Sequence, residues 1–397
     1  MLQKIIKGLV GAVLYCSWPF LAFILYLNKS KGKFIYVNFV LFFFLIGCSF
    51  LFIDSELDSY KYAQEFIDTL DFDFNERLLY NNLYIVRTDF YSFIINFLVS
   101  KVSNSPRILF GVYASIYGLF IAFFFILIKK EWNRRLNLYV WIIILVVFFI
   151  CSHANINTVR FWTACWLFFV SLINIIVYKN NNGFYGLFLT PLIHSTYLLF
   201  IIFYIIFTLL KNKPRFIYYC FIIGWFFSLF NVNIMSLLPT SFGLFSRYEA
   251  YIDVSYYNEV ATVSNQRSLL NRMLSSLPFY YIYFVGIYLF RHYYRYLKER
   301  YKNVFLYSLF LMAICYILGN IPSMGRFYTL SHMFFVYTIF LVYNQFHNKL
   351  LNYIILALIP TFFSTMYLQI VVANSAIKNI YLFGSLSEIL NFSSLPI

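Results

Sequence analysis

Charge is what this chain has least of. Of its 397 residues, 11% are Asp, Glu, Lys or Arg, whereas 62% are hydrophobic. Soluble domains carry about a quarter charged residues, so two or three water-exposed domains are excluded and one membrane-embedded body remains. Acidic residues are the scarcer sign, 15 against 30 basic, giving a formal net charge of +15. In a soluble protein such an excess would suggest nucleic acid. Here the bases sit mainly in short loops between apolar runs, as the positive-inside rule expects, and no basic and aromatic surface segment appears. No nucleic-acid partner is expected. The six cysteines (Cys16, Cys48, Cys151, Cys165, Cys220 and Cys315) stand apart, in or beside apolar runs, with no CxxC pair or Cys/His cluster. Structural disulfides and metal sites are therefore not expected. A cleavage site is also missing: the apolar run 9–27 ends in Asn28-Lys29, so it reads as a retained first helix rather than a signal peptide.

What is abundant is apolar sequence in runs near the ~20 residues needed to cross a hydrocarbon layer. Stretches such as Val140 to Cys151 and Phe216 to Phe230 are apolar on every side. A barrel strand would alternate, so the runs are helices. The expected fold is an all-α polytopic membrane protein of about 10–12 transmembrane helices, a single domain over 1–397. Spans fall at about 9–27, 34–53, 107–128, 138–153, 160–178, 216–235, 278–290, 304–319, 328–343 and 351–372. Two regions fit no simple crossing. Residues 89–101 (DFYSFIINFLVSK) are too short and read as a re-entrant or interfacial helix, and 186–210 reads as a broken helical hairpin or a half-helix around Pro191 to Ser195.

Basic loops at Lys29 to Lys33, Lys129 to Arg135, Lys211 to Arg215 and Arg291 to Lys302 mark the cytoplasmic side. The N-terminus is then expected outside, against the preference of Lys4 and Lys7. All carboxylates except Glu131 and Glu299 then fall outside, chiefly in two long segments, about 54–88 and 236–277.

Ionisable groups beside apolar runs are costly and usually face a cavity. Four stand out on the outer side: Arg160 opening a helix in NINTVRFWTACW, His194 in LTPLIHSTYLLF, Arg247 in SRYEAYI and Arg326 in PSMGRFYTLSHMFF. Three planar guanidinium forks around one cavity would suit a diphosphate. Taken singly, each arginine could instead snorkel to headgroups, and His194 could be a core histidine capping a helix break.

The order of these pieces resembles the EpsG family of bacterial polysaccharide polymerases, which groups with the Wzy O-antigen and capsule polymerases. The likeness runs through Asp58-Ser-Tyr-Lys-Tyr62, DFYSFIINFL, Asn157-Thr-Val-Arg160, Leu192-Ile-His194-Ser195 and Arg247-Tyr248 with Tyr251, from about residue 9 to residue 345. Each motif is short, and their order carries the weight. Three departures stand out. Phe161 replaces the Gln common after the helix-opening arginine, Phe50 to Ile53 lacks the family's Arg, and Pro191 occupies a position usually held by a small residue.

The resemblance implies a GT-C-like fold in the bacterial cytoplasmic membrane and a metal-independent, cofactor-free glycosyl transfer between undecaprenyl-diphosphate-linked glycans at the outer face. Membrane lipids would be further partners, and a chain-length regulator protein is left open. In that reaction Arg160 and Arg247 would meet the charge on the departing diphosphate, His194 would be the base with Asp58 as the alternative, and Arg326, Asp58, Tyr62 and Tyr248 would bind substrate. A glycosyltransferase using a polyprenyl-phosphate sugar, with Asp54 and Asp58 leading, an O-antigen ligase and a lipid-linked oligosaccharide flippase stay open at this point.

Overall fold

The structure is a computed structural model, and it describes residues 2–29, 32–55, 57–80, 90–229, 269–318 and 325–391. Among these the regular structure is helical, with an isolated antiparallel bridge between Phe50 and Ile377. The helices are α1 (Leu2–Ser17), α2 (Pro19–Lys29), α3 (Lys33–Cys48), α4 (Asp58–Asp68), α5 (Phe74–Tyr80), α6 (Tyr91–Ser100), α7 (Pro106–Trp132), α8 (Leu138–Ile150), α9 (Val159–Tyr178), α10 (Asn182–Ile193), α11 (Tyr197–Leu210), α12 (Pro214–Leu229), α13 (Leu269–His292), α14 (Glu299–Leu318), α15 (Gly325–Phe346), α16 (Lys349–Thr361), α17 (Phe363–Ala376), α18 (Ile380–Phe383) and α19 (Leu386–Asn391). A 3-10 turn, His153–Thr158, separates α8 from α9.

Among the described residues, four helical runs are long and apolar enough to cross a membrane: Pro106–Trp132, Leu138–Tyr178, Met273–His292 and Glu299–Leu318. The pair α16 and α17, bent by 43°, makes a fifth. The run Leu138–Tyr178 is better described as two legs. At its start Asn137 donates to Tyr343 Oη (3.0 Å), whose ring stacks on Trp132 at the end of α7. At its finish the Tyr178 ring lies 3.8 Å from Lys130 Nζ, also at the end of α7. Both ends share one level, so the chain reverses in the 3-10 turn. The expected total of 10–12 spans is approached only when shorter helices such as α3 and α11 are counted. Hydropathy runs on past helix ends: the expected span 34–53 stops at Cys48, and Leu51 N–H bonds to Ala376 O (2.9 Å) instead.

The ends of the bundle differ in charge. Glu131, Arg300 and Tyr301 join at one end, with Arg300 Nη2 3.2 Å from Glu131 Oε2, and Asn344 donates to the Glu131 carbonyl (3.1 Å). This is the basic end. The far end carries α4, α5, α6, the 3-10 turn, the α10–α11 break and the C-terminal helices α17 to α19. Helices α3 and α7 run antiparallel between the ends at close range, because a Cβ at Gly47 would lie 2.7 Å from Gly111 Cα and closer still to the Phe110 carbonyl. Glycine is required there for approach, as in other membrane helix pairs.

Three expectations are changed or refined. The first apolar run is a helical hairpin rather than one crossing. Pro19 removes a backbone donor, and the chain folds back at Trp18 so that the Tyr26 hydroxyl presses on the backbone of Gly11. Tyr15 also reaches Asn38, which donates to Phe23 O (3.1 Å). The fold-back directs the start of α1 toward the basic end, where the end of α2 and the start of α3 also lie, in place of the outer N-terminus expected from the sequence. Helix α13 begins at Leu269, ahead of the expected 278, with Pro278 accommodated inside it. The segment 54–80 is not simply a polar loop but folds into α4 and α5. By contrast, 186–210 is the expected broken hairpin, its legs α10 and α11 meeting at His194 to Thr196, and 91–100 is the expected short helix α6. Most of 236–277 lies outside the described residues.

Candidate functional site

Arg160 is the second residue of α9, so the reversal after α8 decides where its side chain begins. The 3-10 turn is fixed by Ser152, whose hydroxyl accepts from Ala154 N–H (3.2 Å) and donates to Gln369 Oε1 of α17 (2.7 Å). Further along the turn, Asn157 Oδ1 accepts from the backbone N–H of Ser59 (2.8 Å). That bond satisfies an otherwise orphaned donor in the first turn of α4, and it docks the helix against the turn. One turn further along α4, Tyr62 is 4% exposed. Arg160 Nε donates to Tyr62 Oη at 2.6 Å, and the guanidinium carbon lies 5.7 Å from the Tyr62 ring centroid. Held through Nε and the ring face, the guanidinium has a set orientation.

Tyr62 is itself supported from below. Its ring packs edge-on to Tyr113 (6.4 Å), whose hydroxyl donates to Asn96 Oδ1 on α6 at 2.7 Å. The short helix α6 therefore buttresses the site, and Phe90 N–H, just before it, donates to Leu192 O at the tip of the α10–α11 hairpin (3.0 Å).

That tip brings in the histidine. The His194 ring meets Phe161 edge to face at 5.2 Å, while the Arg326 guanidinium at the start of α15 lies 5.8 Å from the same Phe161 ring. Phe161 thus has Arg160 beside it in sequence and His194 and Arg326 against its ring. His194 lies in the non-helical break beyond both hairpin legs. Burial, then the charges of Arg160 and Arg326, lower its pKa from the ordinary 6.5 to about 4. The ring is neutral at pH 7. Its Nδ1 accepts from Thr196 N–H at 3.4 Å, so the neutral tautomer carries its proton on Nε2.

Of the seven residues singled out from the sequence, four are gathered here: Arg160, Tyr62, His194 and Arg326. Asp58 is nearby on α4 but at the rim, its carboxylate 4.0 Å from Lys61 Nζ and 42% exposed, rather than paired with Arg160. Arg247 and Tyr248 lie outside the described residues.

Residues 34–383 match the model of the EpsG family. The chain belongs to the EpsG family. These are Wzy-like polysaccharide polymerases of bacterial membranes. No curated protein and no solved structure matches the chain. The stretch matched to EpsG contains every residue of the site just described.

Within this EpsG chain, two contributors escaped the sequence. Phe161 looked like a departure from the family, yet its ring is the surface on which His194 and Arg326 meet. Arg77 is the other, 3% exposed on α5, donating to Thr69 O at the end of α4 and to Ser100 Oγ of α6 (3.3 Å). It clamps together the two helices that hold Tyr62. An arginine in a polar loop gives no signal of burial, since the packing that covers it comes from helices distant in the chain.

Proposed function

We propose that the chain polymerises lipid-diphosphate-linked glycan repeat units at the far end of the bundle, the outer face of the bacterial cytoplasmic membrane, and that the basic end faces the cytoplasm. One observation carries this reading: Arg160 and Arg326 gather with His194 around Phe161, at the end opposite the basic loops. Two fixed cations with a neutral histidine between them suit an anion carrying more than one charge, and undecaprenyl diphosphate is the carrier we infer.

In the reaction, the bond from the anomeric carbon to the diphosphate oxygen breaks and a bond to the acceptor hydroxyl oxygen forms. Negative charge grows on the diphosphate as the sugar carbon becomes cation-like, so donors aimed at that oxygen lower the barrier. Arg160, oriented by Tyr62, and Arg326 supply them without a metal ion in this scheme. Its low pKa and tautomer suit His194 to donate its Nε2–H to the oxyanion better than to act as a base, the role expected from the sequence. The acceptor's proton passes to the departing diphosphate, a base the reaction itself supplies. Arg247 and Tyr248 would complete the diphosphate and glycan contacts.

The test is deletion of the gene followed by inspection of surface polysaccharide. A polymerase leaves single repeat units at the surface; a ligase leaves polymer unattached, and a flippase leaves intermediates inside. Complementation with Asp58→Asn should restore long polymer, because an exposed ion pair contributes about 0–1 kcal/mol. Loss of polymer in that variant would instead favour a carboxylate base and a polyprenyl-phosphate donor.

A further inference from the structure

A cavity of about 290 Å³ lies between α2, α3, α7 and α8, apart from the arginine site. Its walls are rings and branched aliphatics, among them Phe23, Phe42, Phe124, Trp141 and Phe148. His153 and Tyr381 also line it, their Nε2 and hydroxyl 3.1 Å apart. His153 begins the 3-10 turn that leads to Arg160, and its ring stacks on Phe148 at 5.8 Å. Its other nitrogen, Nδ1, is buried without a hydrogen-bond partner. A buried polar atom left unbonded is costly, so a polar group of a ligand that reached Nδ1 would be held there.

We propose that this cavity binds the first stretch of the isoprenoid tail of the lipid carrier, with the phosphate end directed past His153 toward Arg160. This rests on the reading of the site as one for lipid diphosphates. The 3-10 turn from His153 to Thr158 rises about 12 Å, so tail and diphosphate can be bound together by adjoining sites. The volume is at the low end for ligand pockets, and it holds a few isoprene units rather than a whole lipid.

The walls argue for an isoprenoid over a phospholipid acyl chain. Bilayer tails are as apolar as the cavity, so burial alone gives no preference for entering it. Selection must come from shape and dispersion. Rigid aromatic walls favour a stiff, methyl-branched chain over a straight one, because each packed contact is gained at a smaller loss of rotamer freedom.

The experiment is photo-crosslinking of the full-length protein in nanodiscs with polyprenyl monophosphate bearing a diazirine on an isoprene unit near the phosphate. Its counterpart is diazirine-bearing phosphatidylglycerol. Labelling of Trp141 or Phe148 by the isoprenoid probe, competed by unlabelled polyprenyl phosphate and not by phosphatidylglycerol, is the expected result. Leu145→Trp should fill the cavity and remove most of that labelling, because the displaced chain loses its packed contacts with the walls. Leu145→Phe serves as the milder variant if Leu145→Trp prevents folding. Equal labelling by phosphatidylglycerol would make the cavity an ordinary lipid crevice and overturn the proposal, as would labelling unchanged in a folded filled variant. Crosslinking does not require catalysis, so labelled protein that makes no polymer would count against the polymerase reading alone, and active protein that is never labelled there would count against the cavity.

Discussion

Arg160→Lys separates charge from shape at the centre of the site. The native guanidinium is held by the 2.6 Å bond from Nε to Tyr62 Oη and by the Tyr62 ring 5.7 Å away. Lysine keeps one positive charge but has no Nε and no fork, so both the orienting bond and the aimed donor are lost. Removing a donor positioned at a developing oxyanion typically lowers the rate ~10² to 10³, or roughly 3–4 kcal/mol. Losing a charged hydrogen bond is worth about 1.5–3 kcal/mol. The two are not additive, because the bond acts through the donor it orients. Tyr62→Phe keeps the ring and deletes the bond alone, so its expected loss is about 10- to 100-fold, between wild type and Arg160→Lys. The assay is polymer formation by purified protein in nanodiscs from a lipid-linked repeat unit, at equal protein and with thermal midpoints checked. A snorkelling arginine would tolerate lysine almost without cost. If Arg160→Lys and Tyr62→Phe both polymerise within about threefold of wild type, Arg160 does not grip the leaving group and the mechanism fails.

Three further outcomes are expected. His194 has a folded pKa near 4, below its ordinary 6.5, so between those values the unfolded chain binds a proton that the folded chain does not. Its contribution to stability is complete above pH 6.5 and falls as pH drops toward 4, and thermal midpoints across that window should flatten in His194→Gln. Polymerisation itself should persist below pH 6; a loss centred near 6.5 that disappears in the variant would restore His194 as a base. Gly47→Ala places a methyl on the Phe110 carbonyl, and overpacking of about 1–3 kcal/mol should lower the unfolding midpoint in detergent; no change would show that α3 and α7 are looser than described. In a cysteine-free background, cysteine at Asp58 or Asn374 should react with an impermeant reagent in intact cells, and cysteine at Arg134 or Lys4 only after permeabilisation. Reaction at Lys4 in intact cells would contradict the N-terminal hairpin.

The sequence by itself determined the class of the molecule, because hydrocarbon leaves the backbone only helices or a closed barrel, and these runs do not alternate as barrel strands must. It also determined the break at His194, since Pro191 and the polar His-Ser-Thr step cannot be continued as buried helix at no cost. Basic loops were equally legible, each being a local cluster. The fold-back at Trp18 was not, because hydropathy averages over Pro19 and sees one span where packing against Asn38 and Tyr26 makes two legs. Nor could the sequence place Tyr62 on Arg160. That bond joins residues 98 apart, and it exists because Asn157 caps the first turn of α4 while α6 and Arg77 hold the helix from behind. Phe161 makes the same point most plainly. In sequence it is one apolar residue among many, and only the tertiary arrangement, which brings the tip of one hairpin and the start of a distant helix to its ring, gives it a place between a histidine and an arginine.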